Sequence, residues 1–128
     1  MIVIDTSALM AIAENEDRAL ECMAAANSEA TILIAAPTLT EVLVVAGGRG
    51  IGAEMHRLID GIQPTVIPLT EGLARAAAEA YGTWGKGFHP AKLNLGDCFA
   101  YATAKAHGCP LLYIGDDFAQ TDIESAIA

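Results

Sequence analysis

The chain has 128 residues, 53% of them hydrophobic, with a mean hydropathy of +0.39. That balance excludes a disordered chain and suffices to bury the core of one domain. Sixteen acids against seven bases give a net charge of −9, which argues against the basic surface of an ordinary phosphate binder, but not against acids that meet phosphates through cations they hold.

Taken in chain order, four short apolar runs alternate with longer stretches rich in Ala, Leu and Glu. Ile2–Ile4, Thr31–Ala35, Thr65–Leu69 and Pro110–Ile114 lack strict alternation and predict strands covered on both faces. Helices are predicted over Ser7–Ala13, Asp17–Ala26, Pro37–Ala46, Ile51–Asp60, Glu71–Trp84 and Asp97–His107. Turn chemistry punctuates them at Gly47–Gly52 and Gly85–Pro90. The pattern is a single α/β domain over residues 1–128, with a central, mostly parallel sheet of about four to five strands flanked by helices.

No stretch is long and apolar enough for a membrane span, the longest uncharged run being Ala30–Thr40, broken by Pro37. The start lacks the features of a signal peptide, so a cytoplasmic protein is expected. Cys22, Cys98 and Cys109 are odd in number and form no C-x-x-C pair, which predicts reduced, buried thiols.

Asp5 directly follows the first strand, Glu41 sits early in the third helix among apolar residues, Asp97 opens the sixth, and Asp116 and Asp117 follow the last strand. Each has an ordinary explanation. Asp5 and Asp97 suit helix caps, Thr38–Glu41 fits a capping box, and Asp116–Asp117 fits a turn. Together they say more. In an open parallel sheet, strand C-termini and the following helix N-termini share the edge where ligands bind. Asp97 reaches that edge if the 12-residue segment Gly85–Gly96 carries the chain back, since at full extension it spans roughly 40 Å. Carboxylates gathered there need a counter-charge, and a hard divalent cation, Mg²⁺ or Mn²⁺, supplies it.

At these residues the sequence resembles a known family. The opening MIVIDTSAL, Glu41 within its apolar helix, and NLGDCFAYATAKAHGCPLLYIGDDF (Asn94–Phe118) are similar to PIN-domain ribonucleases, specifically the VapC-type toxins of bacterial toxin–antitoxin pairs. The resemblance covers nearly the whole chain and implies a PIN-like fold and Mg²⁺-dependent (or Mn²⁺-dependent) endonucleolytic cleavage of a tRNA, rRNA or mRNA. By matching positions it implies Asp5 and Asp97 as metal ligands, Glu41 as the third acid, and Ser7, beside Thr6, as support for Asp5. Relatives write the last stretch T-x-D-x-D-F. Here Gly115 stands at the earlier acidic place, so register favours Asp117 and a local gap favours Asp116. The resemblance also implies a cognate VapB-like antitoxin and a homodimer, and the apolar helices Asp17–Ala26 and Pro37–Ala46 offer a groove to an amphipathic segment of such an antitoxin.

Chemically, such acids hold a cation that activates water, and one of the outer carboxylates accepts the water's proton. His56, His89 and His107 lack metal-binding spacing. Trp84, Lys86, Phe88, His89 and Lys92 form the one concentration of bases and aromatics near Asp97, so Lys86 and Lys92 are expected on RNA phosphates, with Trp84 or Phe88 stacking on a base. A haloacid-dehalogenase phosphatase needs Asp where Ser7 stands. The alternative is a PIN-like module that binds RNA or protein without cutting.

Overall fold

The computed structural model describes residues 1–127. Its elements run β1 (Ile2–Ile4), α1 (Thr6–Ala13), α2 (Ala19–Ser28), β2 (Ile32–Ala35), α3 (Ala36–Gly48), α4 (Gly52–Ile62), β3 (Thr65–Ile67), α5 (Glu71–Trp84), α6 (Leu95–His107) and β4 (Leu111–Leu112), followed by a 3-10 turn at Phe118–Gln120. The four strands form one all-parallel sheet in the order β3-β2-β1-β4, with Val3 opposite both Leu33 and Leu111. The tail adds a fringe to β4. Leu111 N–H donates to the Glu124 carbonyl (2.9 Å), and Ala126 N–H donates to the Leu111 carbonyl (3.0 Å).

Strand alternation divides the core between the two faces of the sheet. Val3, Leu33 and Leu111 pack with Ala77 and Ala80 of α5 and with the small residues Ala100, Ala102 and Ala104 of α6. Ile2, Ile4, Ile32, Ile34 and Leu112 turn the other way, onto Leu9, Cys22, Val42 and Met55 of α1 to α4. β3 is an edge strand, so it departs from the expectation of cover on both faces: Thr65 and Val66 are exposed. The three cysteines are free and buried, and burial pushes the Cys98 thiol up to about 11. Among the described residues no helix is long and apolar enough to cross a membrane.

Local chemistry sets the ends that matter most. Asn94 caps α6, its side chain accepting from Asp97 N–H (2.8 Å) while Asp97 accepts in return from Asn94 N–H (3.0 Å). The helix therefore opens at Leu95, and Asp97 lies in its first turn instead of at its start. Gly108 ends it in the left-handed region (φ 60°), where glycine carries no Cβ penalty. α5 and α6 pair antiparallel. Trp84 Nε1–H donates to Tyr101 Oη (3.0 Å) at one end, while Ala76 shares a groove with Lys105 and Ala106 at the other.

With that pairing, Gly85–Gly96 brings Asp97 to the edge, as expected, without using the reach that full extension would allow. The segment is compact and closed at its neck, with Lys86 N–H donating to the Leu93 carbonyl (2.9 Å) and Leu93 N–H to that of Trp84 (3.1 Å). Because α5 ends beside the point where α6 begins, no long traverse is needed.

Candidate active site

The strand order places a crevice before any side chain is considered. The chain steps from β1 to β2 to β3 on one side, then crosses to β4 on the other side of β1. Such a switch point, here between β1 and β4, opens a crevice outside the carboxyl ends of the two strands. Asp5 follows β1 there, and its N–H donates to the Leu112 carbonyl of β4 (3.0 Å).

Asp5 is 3% exposed. As the cap of α1, its Oδ2 accepts from Ser7 N–H (3.1 Å) and from Ser7 Oγ–H (2.6 Å). Ser7 Oγ in turn accepts from Ile114 N–H (3.0 Å), so its own proton is directed at Asp5 and the ends of β1 and β4 are tied together. Among the described residues, Asp5 Oδ1 is buried and has no hydrogen-bond partner. The ordinary and the chemical readings of Asp5 thus divide between its two oxygens: one caps, and the other is left free.

Glu41 lies on α3, which begins at Ala36 without a side-chain cap and with Pro37 in its first turn. The capping box expected at Thr38–Glu41 does not form, because the helix starts too early for Thr38 to cap it. Glu41 Oε1 instead accepts from Thr6 Oγ–H (2.6 Å), while Oε2 lies over Gly96 of α6, 2.3 Å from where a Cβ would stand. Only glycine lets α6 pass that close to the carboxylate.

Asp5, Glu41 and Asp97 border one open hollow of about 380 Å³, together with Thr6, Ser7, Asn94 and Arg49. Burial raises the Asp5 pKa, with Glu41 adding to the rise against the pull of the Ser7 hydrogen bonds. Asp97 is pushed up to about 7, first by desolvation and then by the charges of Asp5, Glu41 and Asp117, against the Asn94 N–H that lowers it.

The last acidic pair sits on the exposed turn after β4, and neither member borders the hollow. Of the two, Asp117 is the one whose charge bears on Asp97. Among the described residues, no three His, Cys, Asp or Glu side chains already stand as a chelating group. Asp97 Oδ2 is turned to its cap and Glu41 Oε1 to Thr6, which leaves open hard-oxygen donors around a shared hollow.

The loop residues expected on RNA lie elsewhere. Trp84 packs its ring against His89 (centroids 4.8 Å) and hydrogen-bonds Tyr101, so it is committed to the fold and not offered for stacking. Lys86, Phe88 and Lys92 are exposed, but none borders the hollow. His107 Nδ1 meets the Thr103 carbonyl (2.8 Å), and His56 is exposed.

The groove expected between the second and third helices also differs. The cleft on that side, about 530 Å³, is bordered by Met23 and Ala26 of α2 and by Leu58 and Ile62 of α4. Asn94, Gly96 and Arg49 are the site residues that sequence reasoning missed. N-L-G-D carries an N-x-x-D capping signal that would have found Asn94, whereas the roles of Gly96 and Arg49 depend on tertiary placement.

Comparison with known proteins bears on the family and the fold. The PIN domain family profile matches residues 2–124. Ribonuclease VapC42 and ribonuclease VapC28 of Mycobacterium tuberculosis are each 39% identical to the chain, covering 98% of it and 98% of their own length. Among solved structures, Mycobacterium tuberculosis VapC20, described as a Sarcin-Ricin loop cleaving toxin, superposes with a TM-score of 0.78 at 15% identity, covering 96% of both chains. A toxin-antitoxin complex from Klebsiella pneumoniae gives 0.70 at 21%, covering 95% of this chain and 93% of that one. A profile match over almost the whole chain, with relatives this similar from end to end, means that the chain belongs to the PIN-domain family, among the VapC ribonucleases.

Proposed function

We propose that the protein is a metal-dependent endoribonuclease acting as the toxin of a toxin–antitoxin pair. The observation that carries this reading is the buried Oδ1 of Asp5, with no hydrogen-bond donor among the described residues, beside a carboxyl group on Asp97 that burial first, and its neighbours' charges after, push up to about 7. A buried carboxylate oxygen without a donor is costly, and a cation relieves that cost at both residues. Asp5 and Asp97 hold Mg²⁺ (or Mn²⁺) in this reading, with Glu41 and Asp117 in support and Asp116 further out. The open arrangement suits Mg²⁺, which keeps several waters and binds through one or two carboxylates plus substrate phosphate. When bound, the cation makes an attacking water more acidic and offsets charge on the phosphoryl transition state.

The protein's own groups divide the remaining work. Ser7 fixes Asp5 with two hydrogen bonds, so that Oδ1 is presented without a rotamer search. Thr6 holds one oxygen of Glu41 and leaves the other free over Gly96, in position to take up a proton from water. Asn94 fixes one oxygen of Asp97 and leaves its partner free. RNA that extends past the hollow meets the exposed Lys86 and Lys92.

The partner reading is a VapB-like antitoxin and a second copy of the chain, in the cytoplasm. It is supported by the toxin-antitoxin complex among the fold neighbours and by exposed apolar side chains such as Leu20 (83% exposed) on α2 and Val44 (68%) on α3.

Cleavage of RNA by wild type and Asp5→Asn, with Mg²⁺ and with a chelator, tests the proposal. Wild type with Mg²⁺ is expected to cut, and both the chelator and the substitution to abolish cutting while the fold persists. Cutting that survives either change would overturn the metal-based reading.

A further inference from the structure

The hollow is acidic, yet one cation stands on its rim. Arg49 ends α3, and among the described residues it is the only basic side chain bordering the hollow. Its Nη1 pairs with Glu14 Oε1 (2.5 Å), where α1 ends, and the guanidinium side chain remains 56% exposed. A second hollow of about 440 Å³ adjoins the first, sharing Glu16 and Ile114 as walls, and it is bordered by Arg18. Arg18 is held in the same manner, its Nη2 meeting Glu21 Oε2 (2.9 Å) and the Ile127 carbonyl (3.1 Å). Two of the chain's seven bases therefore line one continuous depression centred on the acids.

We propose that Arg49, with Arg18 beyond it, grips the RNA phosphates that flank the carboxylate hollow, and that Glu14 and Glu21 hold the two guanidinium groups until RNA arrives. The proposal deepens the ribonuclease reading and rests on it. Exposed ion pairs contribute little net stability, so exchanging Glu14 or Glu21 for a phosphate costs little. The guanidinium fork takes a phosphate in the same bidentate fashion as a carboxylate, the form Arg18 already shows with Glu21, so the exchange keeps the charge-assisted bonds. In a chain of net charge −9, local cations of this kind are what lets RNA approach the acids at all.

The test is binding of a fluorescently labelled RNA hairpin in chelator at several salt concentrations, beside cleavage of the same hairpin by wild type with Mg²⁺. Arg49→Ala is expected to weaken binding about tenfold, the loss of one charge-assisted contact. It should also flatten the dependence of log affinity on log salt by about 0.7, the value for one phosphate on a single strand. Arg49→Ala combined with Arg18→Ala should roughly double that flattening, whereas Arg75→Ala, an equal charge change on α5, should leave the slope alone. Glu14→Gln, which frees Arg49, should tighten binding, and Arg49→Lys should keep the slope while losing part of the affinity.

A purely structural Glu14–Arg49 tie predicts instead that both partners' variants melt earlier with the slope unchanged, and that result overturns the proposal. If wild type binds the hairpin through these arginines but never cuts it, the phosphate grip stands and the ribonuclease reading falls. If wild type cuts and Arg49→Ala binds as wild type does, the grip falls and the ribonuclease reading stands.

Discussion

Helix α6 carries two carboxylate environments that differ in almost every respect. Beside its middle, Asp122 accepts from Tyr101 Oη–H and from Lys105 Nζ (3.0 Å), and Tyr101 also receives the Trp84 indole N–H. These bonds, that of Tyr101 foremost, hold the Asp122 carboxyl below the usual range. At its N-terminus, Asp97 has one backbone donor, three acidic neighbours and a pKa of about 7. The first arrangement pins the tail, α5 and α6 together. The second sets a desolvated carboxyl group among like charges. Where acids are satisfied they serve the fold, and where they are left short of donors they mark a candidate functional site.

The largest expected effect separates the two directly. Asp97→Asn keeps the acceptor that caps α6 but removes a charge from the hollow. RNA cleavage should fall by about a thousandfold or more, in the range lost with a transition-state electrostatic contact, while the metal-free protein melts at a higher temperature. A variant that loses both activity and stability would put Asp97 with Asp122, among the structural acids.

Acid–base behaviour sharpens the same contrast. Asp97 binds its proton more tightly folded (about 7) than unfolded (3.8), so its protonation favours the folded state fully below pH 3.8, and that advantage fades as pH rises toward 7. Asp122 is lowered on folding, so its contribution is present above the unfolded value and is lost as pH falls through the folded one. Chelator-treated protein should therefore weaken between about pH 4 and 7, and Mg²⁺ should restore stability near pH 7 and above. Thermal melts across that range, with and without Mg²⁺, measure it, and a profile indifferent to Mg²⁺ would count against a cation at the hollow.

Tyr101→Phe probes the satisfied side. It removes one donor to Asp122 and leaves Trp84 Nε1 without an acceptor, at a cost of about 1 to 2 kcal/mol in urea unfolding. RNA cleavage at saturating substrate should not change. A fall in turnover would mean that the network reaches the hollow through α6.

The two environments were not equally legible in the sequence. Asp5 suits an ordinary helix cap by itself, and only its place on the same sheet edge as Glu41, Asp97 and Asp116–Asp117, with the G-D-C segment around Asp97, makes it legible as a site residue. The helices and the parallel strands followed from run length and turn residues. The Asp122 network was not visible, because Trp84, Tyr101 and Lys105 each suit a helix by themselves, and only the antiparallel pairing of α5 with α6 brings them to Asp122. The long loop is only partly legible for a related reason. Its glycines signal a break but not the closed neck at Trp84–Leu93, and its exposed lysines show a local concentration of bases without showing that none of them borders the hollow. Arg49 lies 44 residues from Asp5 in sequence and enters the hollow only because α3 ends there.

The smallest expected effect concerns Gly96. A Cβ there would fall 2.3 Å from Glu41 Oε2 and 3.0 Å from Cδ, atoms at the movable end of a side chain. Glu41 can swing aside, so Gly96→Ala should cost the fold little, with helix propensity returning up to about 1 kcal/mol. The swing breaks the Thr6 hydrogen bond and moves the carboxylate off the hollow, so cleavage should drop about tenfold, near the low end of what a general base contributes. Gly72→Ala on α5, where a Cβ meets only Thr70 Oγ1 at 3.8 Å, supplies the matched control and should stabilise without touching activity. If both alanines stabilise and both leave cleavage intact, Glu41 acts only as a partner for Thr6. The chemistry then rests on Asp5 and Asp97 alone.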